Sequence, residues 1–303
     1  MAAYNAELFI SEAIESILEQ TFSDFELIVI DDGSKDDTLV KMQQYADKDS
    51  RVRIFSQDNL GFVPTLNKAL LLAQGDIIAR MDADDISLPD RFEMQIKYLE
   101  EHEDIVCVSG NYEYMDEVGR KLTTIYMPLN DDDIQSSCLD GAPALCHGCS
   151  MMWRWALDDA GRYIVGMEPA EDLDLWLRLG EVGKLANLEE VVLKVRLHPA
   201  SICGSNTDIQ NEKIKIACES AYKRRDLSRS FTASTPWRPG DDRSSQFNFL
   251  VRCGWWAFNS GEKTTAILYG LKAIKKDCLR SMGWRLFISA LMKKLPDDKH
   301  ALR

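Results

Sequence analysis

The sequence predicts an α/β domain built on a largely parallel sheet, followed by a helical extension. Two observations predict this fold class. Short apolar runs alternate with segments of helical period over the first two hundred residues, which is typical of a parallel sheet flanked by helices. Acidic residues directly follow two of these apolar runs. Because open α/β sheets bind ligands beyond the carboxyl ends of their strands, the same pattern predicts where a binding site forms.

The individual elements are predicted in chain order from apolar spacing. The first helix is predicted from Phe9, Ile10, Ala13, Ile14, Ile17 and Leu18. Next come a strand at 25–30, a helix at 36–46, a strand at 51–55, a helix at 64–74, a strand at 76–81, a helix at 91–103 and a strand at 105–109. A hydrophilic loop is predicted around 130–133, and another helix begins at Glu171. From about residue 207 the chain is predicted to be helical, with a linker or exposed loop near 228–245.

Charge limits the class of protein. A net charge of −13 argues against a nucleic-acid-binding protein, whose surface would be basic. Residues 261–303 carry ten Lys and Arg but four Asp and Glu, so their balance is +6 and residues 1–260 carry −19. There is no run of about 18 apolar residues that could span a bilayer, and the N-terminus lacks the features of a signal peptide. A cytoplasmic location is therefore expected, either free or peripheral at the inner face of the membrane.

The basic tail has two interpretations. Five apolar residues of the tail fall on one helical face, Trp284, Phe287, Ile288, Leu291 and Leu295. Basic residues surround this face, as they do in a helix that lies on a membrane surface. The alternative is that the face packs against the preceding α/β domain or another subunit, so an oligomer is also compatible with the pattern.

The cysteines are scattered singly apart from Cys146-His147-Gly148-Cys149. This CxxC could form half of a zinc site or a redox pair, but the sequence contains no second CxxC. The favoured interpretation is an unmetallated pair in or beside the core.

Asp82-Ala83-Asp84-Asp85 follows the predicted strand at 76–81. Mg²⁺ and Mn²⁺ prefer carboxylate oxygens, and such a cation can stabilise the negative charge of a departing diphosphate. The cluster therefore predicts a site for Mn²⁺ or Mg²⁺. A DxD triplet alone is weak evidence because solvated acidic loops are common, but the flanking strand and the helix that starts near Pro89 fix this loop.

Two other acidic motifs have both a structural and a functional interpretation. Asp31-Asp32-Gly33-Ser34 suits a turn and a helix N-cap, and a carboxylate there can also accept from a base or ribose. Glu171-Asp172 can stabilise a helix N-terminus through the helix dipole. One of these two residues could instead be a general base that deprotonates an acceptor hydroxyl.

Eight motifs occur in order along the first two hundred residues. They are Tyr4-Asn5-Ala6-Glu7, the segment 16–22, Asp31-Asp32-Gly33-Ser34, Asn59-Leu60-Gly61, Asn67-Lys68, Met81-Asp82-Ala83-Asp84-Asp85, the segment 88–92 and the segment 171–179. In this order they resemble the family 2 inverting glycosyltransferases, over about residues 2–203. The resemblance implies the GT-A fold, in which a Rossmann-like, mostly parallel sheet is flanked by helices.

The resemblance also implies roles for individual residues. Tyr4 would stack on the uracil of a UDP-sugar, Asp32 would accept from its ring nitrogen, and Asn67 and Arg80 would lie near the nucleoside. Asp82 would lie by the ribose and near the metal, Asp84 would bind the metal, and Asp172 would be the base, with Glu171 positioning the acceptor or the base. The remaining predicted nucleotide-sugar contacts are Ala2, Asn5, Glu7 and Ala83, together with Arg196, His198 and Ser201 in a late loop over the diphosphate. A purely structural role for His198 remains the alternative.

The implied organisation is a catalytic domain at 1–205, with a nucleotide-binding half at about 1–105 and an acceptor-binding half at 106–205, followed by a helical extension at 206–303. The implied function is transfer of a sugar from a UDP-sugar to a hydroxyl of a glycan or lipid-linked saccharide, in the synthesis of a cell-surface polysaccharide. Two rivals are a catalytically silent nucleotide-binding module and a nucleotidyltransferase. The second would need a Gly-rich phosphate loop and a basic residue that residues 1–15 lack.

One departure from the family concerns the first strand. The family begins with an apolar strand of about six residues that ends in Pro-x-Tyr-Asn, whereas this sequence has Met1-Ala2-Ala3-Tyr4, with Ala2 at the proline position. The strand is therefore predicted to be missing. The hypothesis is that the true start lies upstream or that the fold tolerates the truncation with weakened nucleotide binding.

Overall fold

The computed structural model describes residues 1–142, 144–198, 207–231 and 242–294. The chain forms two compact units. The first comprises 1–111, 127–194 and 208–234, and the second comprises 112–126, 195–207 and 235–303. The division does not coincide with the predicted boundary at 205, because segments from both sides of that boundary group within each unit.

A three-stranded parallel sheet begins the first unit. Its strands are β1 (Ala2–Ala3), β2 (Leu27–Asp31) and β3 (Val52–Ser56), in the order β1-β2-β3. The connecting helices are α1 (Ile10–Leu18) and α2 (Thr38–Ala46), and α3 (Phe62–Leu72) follows β3. Every residue of β2 is buried, as expected for a strand that is covered on both faces. Ala2 and Ala3 thus form a two-residue strand at the position where the strand was predicted to be missing.

Five further strands belong to a second sheet, most of which lies within the first unit. They are β4 (Ile77–Ala79), β5 (Ile86–Ser87), β6 (Ile105–Asp116), β8 (Met151–Trp153) and β9 (Lys184–Leu197). β8 pairs with β4 and with residues 107–108 of β6, and β5 pairs with residues 193–194 of β9. A parallel bridge between Ala2 and Asp82 joins this sheet to the first one. The end of the β4 segment therefore lies beside β1.

Five helices and one short 3₁₀ turn complete the first unit. They are α4 (Arg91–Glu101), α5 (Asp131–Leu139), the 3₁₀ turn His147–Cys149, α6 (Arg154–Asp159), α7 (Glu171–Val182) and α8 (Thr207–Arg224). The loop predicted around 130–133 is instead the start of α5. Asn130 caps this helix by accepting from the backbone N–H of Asp133, and three aspartates in the first turn favour the helix N-terminus.

The second unit packs a hairpin with three helices. β7 (Lys121–Ile125) pairs with residues 112–115 of β6. The helices are α9 (Arg243–Asn259), α10 (Lys263–Lys276) and α11 (Ser281–Met292). One of the buried clusters of the unit is formed by Tyr114, Leu122, Leu197, Cys253 and Tyr269. The predicted helical C-terminal region is thus observed in α8 to α11.

Two further predictions concern segments that separate these elements. The linker predicted near 228–245 falls largely on residues 232–241, which lie outside the described residues, and α9 begins at Arg243. Within the described parts of the chain, no helix combines the length and apolar character needed to cross a bilayer.

Candidate active site

The acidic cluster lies just beyond β4. Ligand oxygens of Asp82, Asp84 and Asp85 all lie within 4.8 Å of one another. Asp85 is buried, whereas Asp82 and Asp84 are half-buried, and Ala83 between them is buried. Three hard oxygen donors at this separation fit Mg²⁺ or Mn²⁺, which bind through a few carboxylates and keep several waters.

Arg80 places a positive charge beside this cluster. Its side chain is buried and forms an ion pair with Asp82, and its guanidinium lies over the ring of Phe62, 5.4 Å from the centroid. Burial alone would lower the pKa of Arg80, but the Asp82 carboxylate outweighs this effect and the pKa is raised. Arg80 is therefore a permanent cation. Its buried Nε has no hydrogen-bond partner among the described residues.

Two buried side chains of α4 form hydrogen bonds with backbone oxygens next to the acidic cluster. The Arg91 guanidinium donates through Nη2 to the backbone oxygen of Arg80 at 2.7 Å and through Nε to Oε1 of Gln95 at 3.0 Å. Gln95 in turn donates to the backbone oxygen of Cys149 at 2.7 Å. Arg91 is completely buried. Helix α4 thus connects the strand before the cluster with the 3₁₀ turn at 147–149.

That 3₁₀ turn contacts the acidic cluster directly. A Cβ atom at Gly148 would lie 2.9 Å from Cδ2 of Leu193, 3.0 Å from Oδ2 of Asp85 and 3.3 Å from Oδ2 of Asp82, so a larger residue there would displace these side chains. Cys149 is buried, and its Sγ lies 3.3 Å from Oγ of Ser109. The CxxC therefore lies beside the site, not apart from it.

Glu171 and Asp172 form the first turn of α7. Glu171 is buried, and its Oε2 has no hydrogen-bond partner within the described parts of the chain. Burial, and next the charge of Asp172, raise the pKa of Glu171 to about 8. Burial also raises the pKa of Asp172, while the positive charge of Arg80 acts in the opposite direction. The charges of both Arg80 and Asp82 reach Asp172, so the acidic pair and the acidic cluster share one electrostatic environment.

Tyr163 and His147 also belong to this environment. Nε2 of His147 and the hydroxyl of Tyr163 are hydrogen-bonded at 2.8 Å. Burial, and next the charge of Arg80, lower the pKa of His147 well below its usual value, so this ring is neutral at pH 7. The ring of Trp176 lies edge-on to that of His147 at 5.8 Å. Neither Tyr163 nor His147 was predicted as a site residue, because nothing in the local sequence indicates that they meet.

Asn67 was predicted to lie near the nucleoside. Both polar atoms of its side-chain amide form hydrogen bonds with the backbone of Tyr163. Its Nδ2 donates to the backbone oxygen of Tyr163 at 2.9 Å, and its Oδ1 accepts from the N–H of Tyr163 at 3.3 Å. The amide therefore fixes the segment around Tyr163 against α3.

Asp32, at the end of β2, is a buried acceptor. Its Oδ1 accepts from Gln57 and from the N–H of Leu60, and its Oδ2 accepts from the N–H of Gly61. A carboxylate can accept about four hydrogen bonds, so capacity remains for a further donor. Gly33 follows with a φ of 76°, and a Cβ there would lie 2.8 Å from the N–H nitrogen of Asn59. The turn in this motif is therefore observed, whereas the N-cap of α2 is Asp37, outside the motif. The proposed contact with a base is compatible with the turn.

The Tyr4–Glu7 segment lies against the residues that follow β2. The N–H of Asn5 donates to Ser34 at 2.9 Å, and its Oδ1 accepts from the N–H of Lys35. Oε2 of Glu7 accepts from the N–H of Asp37 at 3.0 Å. The side chain of Tyr4, in contrast, is about half exposed. Asn5 and Glu7 thus shape the loop that presents Tyr4.

The described part of the predicted late loop, residues 196–198, belongs to the second unit. Arg196 is buried, and its Nη1 donates to the backbone oxygen of Glu117 in that same unit at 3.0 Å. His198 follows β9 and is half-buried. Ser201 lies outside the described residues. The predicted contacts of these three residues with a diphosphate therefore stay predictions.

A surface groove of about 870 Å³ lies elsewhere on the first unit. Asp76, Trp153 and Arg154 line it. Asp76 precedes β4, whereas the acidic cluster follows β4, so the groove lies at the opposite end of that strand. Its size alone does not make it the active site, because the converging carboxylates and shifted pKa values lie at the other end.

Comparisons with known proteins bear on the same residues. The sequence model of the family described as "Glycosyl transferase family 2" matches residues 1–161. An uncharacterized glycosyltransferase of Haemophilus influenzae is 35% identical over 226 residues, which are 71% of this chain and 69% of that protein. The putative glycosyltransferase EpsE of Bacillus subtilis is 38% identical over 65% of this chain and 71% of its own length. The O-antigen biosynthesis glycosyltransferase WbnJ of Escherichia coli is 33% identical over 66% and 79%.

Two solved structures have the same fold at low identity. S. aureus TarS 1-349 in complex with UDP-GlcNAc has a TM-score of 0.56 and 14% identity, over 96% of this chain and 78% of that one. The mannosyltransferase PcManGT of Pyrobaculum calidifontis, in complex with GDP-Man and Mn²⁺, has a TM-score of 0.54 and 16% identity, over 97% and 86%. The predicted GT-A fold is thereby confirmed.

Proposed function

Because this chain belongs to glycosyl transferase family 2, we propose that it transfers a sugar from a UDP-sugar to a saccharide hydroxyl, with inversion at the anomeric carbon. The observation that carries the proposal is the proximity of two sets of carboxylates. One set is an acidic cluster suited to a cation, and the other is a buried pair suited to a general base. Asp82, Asp84 and Asp85 converge within 4.8 Å, and the charge of Asp82 acts on the Asp172 side chain. A site for a diphosphate and a site for a base would then be adjacent.

Asp84 and Asp82 would hold Mn²⁺ or Mg²⁺ through carboxylate oxygens. A divalent cation there would stabilise the charge that develops on the departing diphosphate. Arg80 contributes a permanent positive charge on the same side. Its Nε, buried and without a partner among the residues described, is a donor suited to an anionic ligand. Tyr4 is exposed enough to stack on the uracil.

Asp172 would accept the proton of the acceptor hydroxyl. Its raised pKa brings its basicity closer to neutral pH, which suits a general base. Glu171 has a pKa of about 8, so it holds a proton at pH 7 and can donate a hydrogen bond that positions the acceptor. Inversion follows from a single displacement, in which the activated hydroxyl attacks the anomeric carbon as UDP leaves from the opposite side.

The acceptor we propose is a glycan or lipid-linked saccharide in the synthesis of a surface polysaccharide. The support is the role that one relative has in its name, the O-antigen biosynthesis glycosyltransferase WbnJ of Escherichia coli. The donor we propose is a UDP-sugar, on the strength of the UDP-GlcNAc complex of TarS. GDP-Man, bound by PcManGT, belongs in the same donor screen.

The test is release of UDP from a panel of UDP-sugars in the presence of Mn²⁺. Asp84→Asn should abolish metal-stimulated release, and Asp172→Asn should lower turnover by about 10²- to 10⁴-fold, the usual contribution of a general base. Asp24→Asn, which changes an exposed aspartate of the same unit, is the matched control and should leave turnover unchanged. UDP binding without turnover of any donor would contradict the proposal and favour a silent binding module.

A further inference from the structure

Helix α11 has two apolar faces, and one of them is exposed to solvent. On the buried face, Leu286 contacts Gly254 of α9 and Gly283 contacts Ala273 of α10. The exposed face consists of Trp284, Ile288, Leu291 and Met292, whose exposed fractions are 45%, 49%, 47% and 81%. At 100° per residue these four side chains form one stripe opposite the buried face. We call this stripe the α11 surface.

Basic residues adjoin the α11 surface. Arg285 lies on α11, Lys293 and Lys294 directly follow it, and all three are exposed. Residues 261–303 as a whole have a charge of +6 against −19 for the preceding residues. Apolar side chains flanked by Lys and Arg are typical of helices that lie in the plane of a membrane, where the cations reach anionic headgroups. The exposed ring of Trp284 has the amphipathic character of side chains enriched at that interface.

The size of the α11 surface also favours a membrane over a protein as its partner. A stable complex buries about 800 Å² on each partner and uses about 20–30 residues a side, far more than four partly exposed side chains. A bilayer imposes no such requirement, because each apolar side chain that enters it contributes independently.

We propose that the α11 surface docks this protein onto membranes that contain anionic lipids. Trp284, Ile288, Leu291 and Met292 enter the interface, while Arg285, Lys293 and Lys294 contact the headgroups. Docking requires neither donor nor acceptor, so it can be tested even if the proposed transferase function fails.

The experiment is flotation of the full chain with vesicles of phosphatidylcholine, either pure or containing about 30% phosphatidylglycerol. The protein should float with the anionic vesicles only, and raising NaCl from about 0.1 M to about 0.5 M should release it. Lys293→Glu with Lys294→Glu should weaken binding by about fivefold per lysine or more. Ile288→Ser with Leu291→Ser should weaken it by about tenfold.

The matched control is Val40→Ser with Leu71→Ser, which changes two exposed apolar residues of α2 and α3 and should leave flotation unchanged. Circular dichroism of every variant checks that it folds. The proposal is overturned by equal binding to neutral and anionic vesicles, by no binding to either, or by α11 variants that float like the wild type. If the α11 variants had a different oligomer mass from the wild type but floated as it does, the surface would instead be a contact between copies of this chain.

Discussion

At the scale of single residues, the buried carboxyl of Glu171 makes stability depend on pH. Its pKa is raised from an ordinary 4.5 to about 8 in the folded protein. Between these values the folded state holds a proton that the unfolded state releases, so the contribution of Glu171 to stability falls as pH rises from about 4.5 to about 8 and does not change further above that.

We predict that Glu171→Gln removes this decline. Without metal, in EDTA, the variant should gain stability relative to the wild type as pH rises from about 5 to about 8, by at least the 1.4 kcal/mol or so of a single pKa unit. Urea unfolding at several pH values measures it. Glu100→Gln, at an exposed position of α4, serves as control. If the difference in free energy of unfolding between Glu171→Gln and the wild type did not change with pH, Glu171 would be ionised in the folded protein.

Much of the candidate site could be predicted at this scale. The Asp82–Asp85 cluster and the Glu171–Asp172 pair were identified from motifs alone, and the structure brings them into one electrostatic environment. The functions assigned to individual side chains were harder to predict. Asn67 binds the backbone of Tyr163, a residue 96 positions later, and no local pattern contains that information. His147 and Tyr163 were missed for the same reason.

At the scale of elements, α4 links the sheet to the acidic cluster through a completely buried arginine. Arg91 donates to the backbone oxygen of Arg80, and removing the guanidinium leaves that buried oxygen without its donor. An unsatisfied buried polar group costs about 1–3 kcal/mol.

We therefore predict that Arg91→Met lowers the free energy of unfolding by at least about 1–3 kcal/mol and also weakens the dependence of turnover on Mn²⁺. Lys97→Met removes a cation from the exposed side of the same helix and should change stability by less than about 0.5 kcal/mol. Chemical denaturation and a Mn²⁺ titration provide the two readouts. Equal effects of the two substitutions would show that α4 does not hold the cluster.

Helices and strands with strong apolar periodicity were predicted well. β2 and β3 lie within one or two residues of the predicted strands, and α1 spans most of its predicted apolar residues. α5 was missed because polar residues, Asn130 to Asp133, form its cap and first turn. The antiparallel strand β8 was also not predicted as a strand, since its three residues are too few to show a period.

At the scale of the whole molecule, the resemblance placed the boundary of the catalytic domain at 205, but α8 lies beyond it and belongs to the core of the first unit. Ala217, Cys218, Ala221 and Tyr222 are buried in the same cluster as Trp176. The hydroxyl of Tyr222 donates to the backbone oxygen of Leu139 at 2.5 Å. Burial of these side chains depends on packing between segments that are far apart in the sequence. The motifs near the active site contain no information about that packing.

We predict that a chain ending at residue 205 does not unfold cooperatively, because it lacks the α8 side chains that complete this core. Scanning calorimetry of the truncated and full chains measures the difference. Tyr222→Phe in the full chain, which removes one hydrogen bond and keeps the packing, should retain a cooperative transition with a slightly lower midpoint. A cooperative transition of the 1–205 chain at the full-length midpoint would restore the predicted boundary.

The hydrogen bonds of Asp32 couple the proposed recognition of a base to the conformation of the neighbouring backbone. The carboxylate proposed to accept from a uracil ring already accepts from the N–H groups of Leu60 and Gly61. A base that binds there would share its acceptor with the main chain, so ligand affinity and the conformation of residues 59–61 would be thermodynamically linked. A change that favours one conformation of this segment would alter affinity for the nucleoside, and binding would shift the segment by the same free energy.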